Sequence, residues 1–316
     1  MRVLFVAQSD PRGSVHRLAR VLREENVADA RVMMLSEPRR GDPHYDLARL
    51  HDGGQELEEL LRTADVLHLV DLVPSQLPIV QAIVARRSYA PRWVLQWDRA
   101  PFRTEVREMN DLGRVADLCT IATRSGILDD ADAFVPPMLS IWRPPWTPVL
   151  PGTHLRTRRA SAAIFASTPG SLQEDPRLEA LIDRAENVAS VCPNRHVEVL
   201  TGRPHVQVLQ RQRRAHLVLA AAQRGMPTSA LEALAQGLRV VVDAPPEDLA
   251  AYALLAGGTP APVLLPEDLP EAIADLDPSA DPDEGAIAWA RCVLDPRRWL
   301  GVCMRLYNRP PFARAA

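Results

Sequence analysis

Residues 216–243, HLVLAAAQRGMPTSALEALAQGLRVVVD, constrain the chain most, because they spell a strand, a loop, a helix and a second strand with almost no chain left over. Residues 216–221 are an apolar run of strand length, and residues 239–243 are the β-branched run that a buried parallel strand carries. Between them, Ser229 with Glu232 three residues on has the capping-box spacing. Ala230, Leu231, Ala233, Leu234 and Ala235 form an apolar helical body, and Gly237 stands where a glycine closes a helix. Two parallel strands joined by a helix are a βαβ unit. In an open parallel sheet, ligands bind where loops leave the carboxyl ends of the strands and the next helix presents its free N–H groups. The loop AQRGMPTS, residues 222–229, faces such a position.

The same alternation runs through the chain. Strands are predicted at 2–7, 31–35, 65–70, 93–96 and 118–122, with helices at 15–25, 55–62, 76–86 and 104–112. Residues 134–157 then hold VPPM, RPPW and TPVLPG, which neither a helix nor a central strand tolerates, so a domain linker is expected there. A second series follows with strands at 162–166 and 197–200, a helix at 176–185, a strand end and helix within 264–275, and a terminal helix over 285–307. The fold class is α/β with two Rossmann-like domains built on parallel sheets. The expected division is 1–150, 151–284, and a terminal helix and tail over 285–316.

Composition removes several kinds of chemistry. All 37 basic residues are arginine, which excludes a Walker A loop, a pyridoxal Schiff base and any lysine clamp on a phosphate. A bound diphosphate must therefore be held by arginines and helix N-termini, and Arg224 is placed for that task. The net charge of -3 gives no global attraction to nucleic acid, although the clusters Arg156, Arg158, Arg159 and Arg211, Arg213, Arg214 suit local anions or a solvated face. Cys119, Cys192, Cys292 and Cys303 have no zinc or redox spacing and read as buried thiols. The Asp-x-Asp spacings at 130–132 and 281–283 fall in loops, so no metal site is expected. MRVLFVA is too short for a signal-peptide core and no run is long enough to span a bilayer, which leads to an expected cytoplasmic location without a transmembrane segment.

The 224–237 segment resembles the C-terminal motif of retaining GT-B glycosyltransferases, in particular the family 4-like group. That motif is two glutamates seven residues apart, the first followed by glycine and the second inside a Leu-Glu-Ala helix that ends in glycine. Gly225, Leu231, Glu232, Ala233, Leu234, Ala235 and Gly237 fall in register, and Arg224 replaces the first glutamate. The resemblance implies that Glu232 grips the donor ribose and that Gly225, Thr228 and Ser229 lie against the donor, while Arg224 puts the usual sugar contact in question. A capping-box role for Glu232 stands beside that reading. Gly13 and Ser14 stand at the family's Gly-Gly loop after the first strand, with a plain tight turn as the alternative. In QWDRAPFR, Trp97 replaces the family's histidine and Asp98 is kept at a strand end. Asp98 suits a sugar contact or receipt of the acceptor proton, and equally the capping of the next helix, while Trp97 suits either stacking or burial. Gly202 falls where such folds line the base pocket, Val135-Pro136-Pro137 and Arg143-Pro144 match the interdomain passage, and WLGVCMRLYN resembles the last helix, which crosses back onto the first domain.

What the resemblance implies is transfer of a sugar from a nucleotide diphosphate sugar such as UDP- or GDP-sugar, with retention, no metal and no cofactor. The acceptor is open among a small molecule, a glycan, a protein and modified DNA. One alternative is glycosylation of a hydroxymethylated base in DNA, with Arg86, Arg87, Arg99 and Arg103 as the phosphate-binding surface. Another is a non-catalytic relative that keeps nucleotide binding.

Overall fold

The computed structural model describes residues 1–8, 14–35, 47–48, 54–87, 90–98, 101–115, 118–122, 131–135, 162–168, 175–203, 205–223, 225–258, 263–277 and 280–309. The chain divides into two compact units, one made of Met1–Met138 with Pro296–Ala316, the other of Leu139–Asp295.

In the first unit, β1 (Arg2–Ala7), α1 (Ser14–Glu24), β2 (Asp29–Met34), β3 (Leu47–Ala48), α2 (Gly54–Thr63), β4 (Val66–Val70), α3 (Pro78–Val84), β5 (Arg92–Trp97), α4 (Arg103–Val115), β6 (Leu118–Ala122) and β7 (Ala133–Phe134) follow one another. The strands form one parallel sheet in the order β3-β2-β1-β4-β5-β6-β7. β1 and β4 are buried along almost their whole length, as the continuous apolar runs VLFVA and VLHLV require of strands covered on both faces. α1 turns Val15, Leu18, Ala19, Val21 and Leu22 inward at helical spacing. The order reverses at β1, whose neighbours β2 and β4 lie on opposite sides, so the crevice of this sheet opens at the carboxyl ends of β1 and β4.

In the second unit come β8 (Ala162–Thr168), α5 (Pro176–Val191), β9 (Arg195–Thr201), α6 (His205–Gln212), β10 (Leu217–Ala221), α7 (Thr228–Ala235), β11 (Arg239–Asp243), α8 (Pro246–Ala256), β12 (Val263–Leu264), α9 (Leu269–Ala274) and α10 (Glu284–Leu294). Its parallel sheet has the order β12-β11-β10-β8-β9. Asp175 caps α5 by accepting the Leu178 amide at 3.2 Å, Pro176 occupies the first turn, and the helix runs on past 185 to Val191 because nothing in ENVASV breaks it. The expected linker lies almost entirely in 136–161, outside the described residues.

The terminal helix differs from expectation. Instead of one helix over 285–307 there are two, α10 and α11 (Pro296–Tyr307), because Pro296 can open a helix but cannot continue one. α10 packs on α7 in the second unit, whereas α11 belongs to the first. Arg92 on β5 holds the end of α11 by donating to the carbonyls of Leu306 at 3.1 Å and Tyr307 at 2.5 Å. Arg297 pairs with Glu25 at 2.8 Å and Arg309 with Asp132 at 2.6 Å. Two further helices end on guanidinium forks: Arg87 donates to the carbonyls of Leu61 and Ala64 after α2, and Arg195 to those of Ile273 and Leu276 after α9. In a chain without lysine, the planar fork fits paired orphan carbonyls and its charge suits the negative helix end.

Candidate active site

Three consecutive strand-to-helix connections of the second unit are tied together by side chains. β9 ends before Gly202, whose φ of +60° turns the chain, and the amide of Gly202 donates to Thr168 at 3.2 Å. Three residues later His205 opens α6. Its Nε2 lies 2.8 Å from Oε1 of Glu232 on α7. At the other end of α6, Gln212 donates to the Ser229 carbonyl at 2.9 Å. The loop after β10 carries Gly225 at φ +68°, and its amide donates to Asp248 Oδ2, on the first turn of α8, at 2.7 Å. Thr228, Glu232 and Asp248 are all buried, at 3%, 2% and 1% exposure. Burying two carboxylates this deeply at strand ends is costly unless each is matched by donors, and the His205 ring and the Gly225 amide supply them.

The capping box expected from Ser229 and Glu232 does not form. Pro227 takes the N-cap position, with extended φ and ψ of -58° and 136°, so Thr228 and Ser229 lie inside the helix and Glu232 falls in its second turn. Proline has no amide for a carboxylate to cap. Glu232 is left to face His205. Gly237 does close α7, at φ +72°, with Leu238 donating back to Ala233 at 3.0 Å and Gly237 to Leu234 at 2.9 Å.

Gly225, Thr228, Ser229 and Glu232 are thus gathered around one helix start, with Gly202 preceding the helix that carries His205. A Cβ added to Gly202 would meet no atom within 4 Å, so that position lies in open space. Arg224 and Gly13 lie outside the described residues. Ser14 is the first residue of α1 and belongs, with Asp98, to the first unit.

Asp98 follows β5 and is half-buried. Its carboxylate accepts from Gln96 Nε2 at 3.1 Å, and its amide donates to Asp71 at 2.9 Å. Asp71, at φ +53° after β4, donates its own amide to the Gln96 carbonyl at 2.8 Å. Two carboxylates therefore stand at adjacent strand ends. The next helix is served by Glu105, which accepts the Phe102 amide at 2.7 Å. Trp97 is fully buried, so its ring packs in the core and cannot stack on a ligand. Behind Asp98, Gln96 Oε1 lies 3.1 Å from His68 Nε2, and His68 Nδ1 lies 2.8 Å from the Tyr307 hydroxyl. Burial pushes the His68 imidazole down to about 3, against the hydrogen bond to Gln96, and pushes the Tyr307 hydroxyl well above its ordinary range.

Other expectations change. Arg87 is committed to the end of α2 and Arg99 is outside the described residues, which leaves Arg86 and Arg103 exposed from the four chosen for DNA. Cys292 is exposed and Cys192 half-buried rather than buried, and none of the four cysteines is in a disulfide. Asp283 caps α10 through the Ala286 amide at 2.6 Å, and Asp132 accepts the Thr120 amide at 2.8 Å, so both Asp-x-Asp spacings end in an aspartate with a structural partner. Among the described residues no cluster of three or more His, Cys, Asp or Glu could hold a metal, and no helix is long and apolar enough to cross a membrane.

With this geometry in place, solved structures supply the comparison. The chain is similar to Alr3699/HepE of Anabaena, whose structure in complex with UDP and glucose is 15% identical over 96% of this chain and 98% of that one, with a TM-score of 0.63. The UDP-glucose complex of the same protein gives 16% over 97% and 98%, with a TM-score of 0.62. A glycosyltransferase from Rickettsia africae ESF-5 is 7% identical over 97% of each chain, with a TM-score of 0.60. The fold is GT-B. No protein-family model matches the chain, and neither does any curated protein. In GT-B terms, the first sheet with α11 is the N-terminal Rossmann-like unit and the second sheet is the C-terminal one. His205, Asp248, Gln96, His68 and Tyr307 were not singled out from the sequence. His205 stood closest to legibility, three residues after a glycine at a strand end.

Proposed function

We propose that the chain is a glycosyltransferase that takes its sugar from a nucleotide diphosphate sugar, with the donor held by the second unit. The observation that carries this reading is Glu232, a carboxylate buried in the strand-end crevice and backed by His205. A ribose offers two vicinal hydroxyls, and a carboxylate accepts both. Thr228 and Ser229 at the start of α7 present backbone N–H groups to the diphosphate beside the turn at Gly225, Arg224 adds the charge that no lysine supplies, and open space at Gly202 admits the base. As the sugar's C1–O bond to the diphosphate breaks, these groups stabilise the leaving charge, which is the task a cation performs elsewhere. The acceptor oxygen bonds to the same face of C1, and Asp98 receives its proton. Structures of Alr3699/HepE with UDP and with UDP-glucose support the donor class.

Release of sugar to water from a panel of UDP-, GDP- and dTDP-sugars tests the activity, and turnover should persist in EDTA. Loss of turnover in EDTA that Mg²⁺ or Mn²⁺ restores would overturn metal independence; no release from any donor would overturn transfer. Calorimetric titration separates the binding roles. Glu232→Gln should weaken nucleoside and nucleoside diphosphate alike by about tenfold, the loss of one charge-assisted contact. Arg224→Ala should weaken the diphosphate alone. Equal losses of nucleoside and diphosphate in the Arg224 variant, or unchanged nucleoside affinity in the Glu232 variant, would reject the respective role.

A further inference from the structure

The first unit contains a buried polar chain that donor binding does not use. Tyr307 ends α11, His68 lies in the middle of β4, Gln96 is on β5 and Asp98 follows it. Their contacts run from the Tyr307 hydroxyl to His68 Nδ1 at 2.8 Å, from His68 Nε2 to Gln96 Oε1 at 3.1 Å, and from Gln96 Nε2 to Asp98 Oδ1 at 3.1 Å. The proton positions follow from the amide. Gln96 Nε2 can only donate and so gives its N–H to Asp98; Gln96 Oε1 can only accept, so His68 carries its proton on Nε2. His68 is neutral, which leaves a lone pair on Nδ1 for the Tyr307 O–H. Every donor in the chain points toward Asp98.

Such a chain is expensive inside a parallel sheet. The other residues of β4 are valine and leucine, and an apolar side chain at 68 would bury without needing partners. His68, Tyr307 and Gln96 are 0%, 4% and 8% exposed, whereas the chain emerges at half-buried Asp98, at a strand's carboxyl end. The Phe5 ring, 4.6 Å from the imidazole, packs against His68, and Arg92 donates to the carbonyls of Leu306 and Tyr307. His68 and the end of α11 are thus each held by a second contact, as the placing of a carboxylate through them requires.

We infer that Tyr307, His68 and Gln96 are positioning residues for Asp98, so that α11 sets the placement of the carboxylate that receives the acceptor proton. This rests on the role proposed above for Asp98. The experiment uses the full chain, the same donor panel with water as acceptor, and rates corrected for the fraction of protein that binds nucleotide. Tyr307→Phe and Gln96→Leu should each lower kcat by roughly tenfold or less, with donor KM within about twofold, because one hydrogen bond is lost on the path to Asp98. Combined with Asp98→Asn, either change should cost nothing further, since residues acting through a shared partner are not additive. Losses that multiply in the Asp98→Asn background would make the chain merely structural and overturn the inference. A readout independent of turnover is the ¹⁵N NMR spectrum of His68, expected to show the Nε2–H tautomer; the Nδ1–H tautomer would overturn the chain's polarity. Failure of the underlying reading has its own signature, because Asp98→Asn would then turn over at the parent rate.

Discussion

Acidifying the protein from pH 7 to pH 4.5 should remove about 2 to 3 kcal/mol of stability that a His68→Gln variant does not lose. The cause is a single buried ring. His68 is fully buried and its folded imidazole takes a proton only near pH 3, while the unfolded ring takes one near the ordinary histidine value of about 6.5. Between those values the unfolded state binds more protons, so stability is complete above about pH 6.5 and is lost as pH falls toward 3. Charging the ring would also reverse one link, because Nδ1–H would then donate to the Tyr307 hydroxyl oxygen instead of accepting from it. Carboxylates elsewhere add their own acid sensitivity, which is why the measurement is a difference: urea midpoints of parent and His68→Gln at the two pH values. Parallel pH slopes for the two proteins would show that His68 does not resist protonation.

Gly237→Ala should lower the stability of the second unit by about 2 to 5 kcal/mol, or roughly 5 to 15 °C in Tm. Two costs combine. Gly237 sits at φ +72°, where an alanine pays roughly 1 to 2 kcal/mol, and its Cβ would lie 2.7 Å from Pro282 Cβ and 3.0 Å from the Asp283 amide. Backbone cannot yield as a long side chain can. The strain also falls on the helix that carries Glu232, since α10 packs on α7 directly beyond this glycine. Gly257→Ala is the control: φ is +75° there, but the added Cβ meets nothing within 4 Å, so only the backbone cost remains. Thermal unfolding of the two variants should differ by the clash alone, and equal shifts would remove it.

The elements legible in the sequence are those whose signal is local. β1, β6 and β11 match their expected bounds because each is an apolar run with clear ends. α6 and α8 were not read: HVQVLQRQ is short and mostly polar, and PEDLAAYALLA is apolar on nearly every face, so neither shows the one-sided stripe that marks a surface helix. The candidate site was legible at Glu232 and Asp98, which stand at strand ends or in a helix after one. Their partners were not. The Glu232 to His205 pair spans 27 residues, Gly225 to Asp248 spans 23, and His68 to Tyr307 spans 239, and no spacing rule reaches across such gaps. The capping box misled for a local reason, since one proline moved the helix start back by two positions.

The return of α11 to the first sheet bears on how the protein is made. The second unit is one continuous piece of chain, Leu139–Asp295, while the first is assembled from Met1–Met138 and Pro296–Ala316. A ribosome therefore delivers every residue of the second unit before it delivers the helix that Arg92 holds and the hydroxyl that His68 accepts. Domains usually mature from the amino terminus during synthesis. Here the order is inverted at the last step: the sheet synthesised first waits, with the α11 side of β5 uncovered and Nδ1 of the His68 ring without its hydroxyl, until the other unit has emerged.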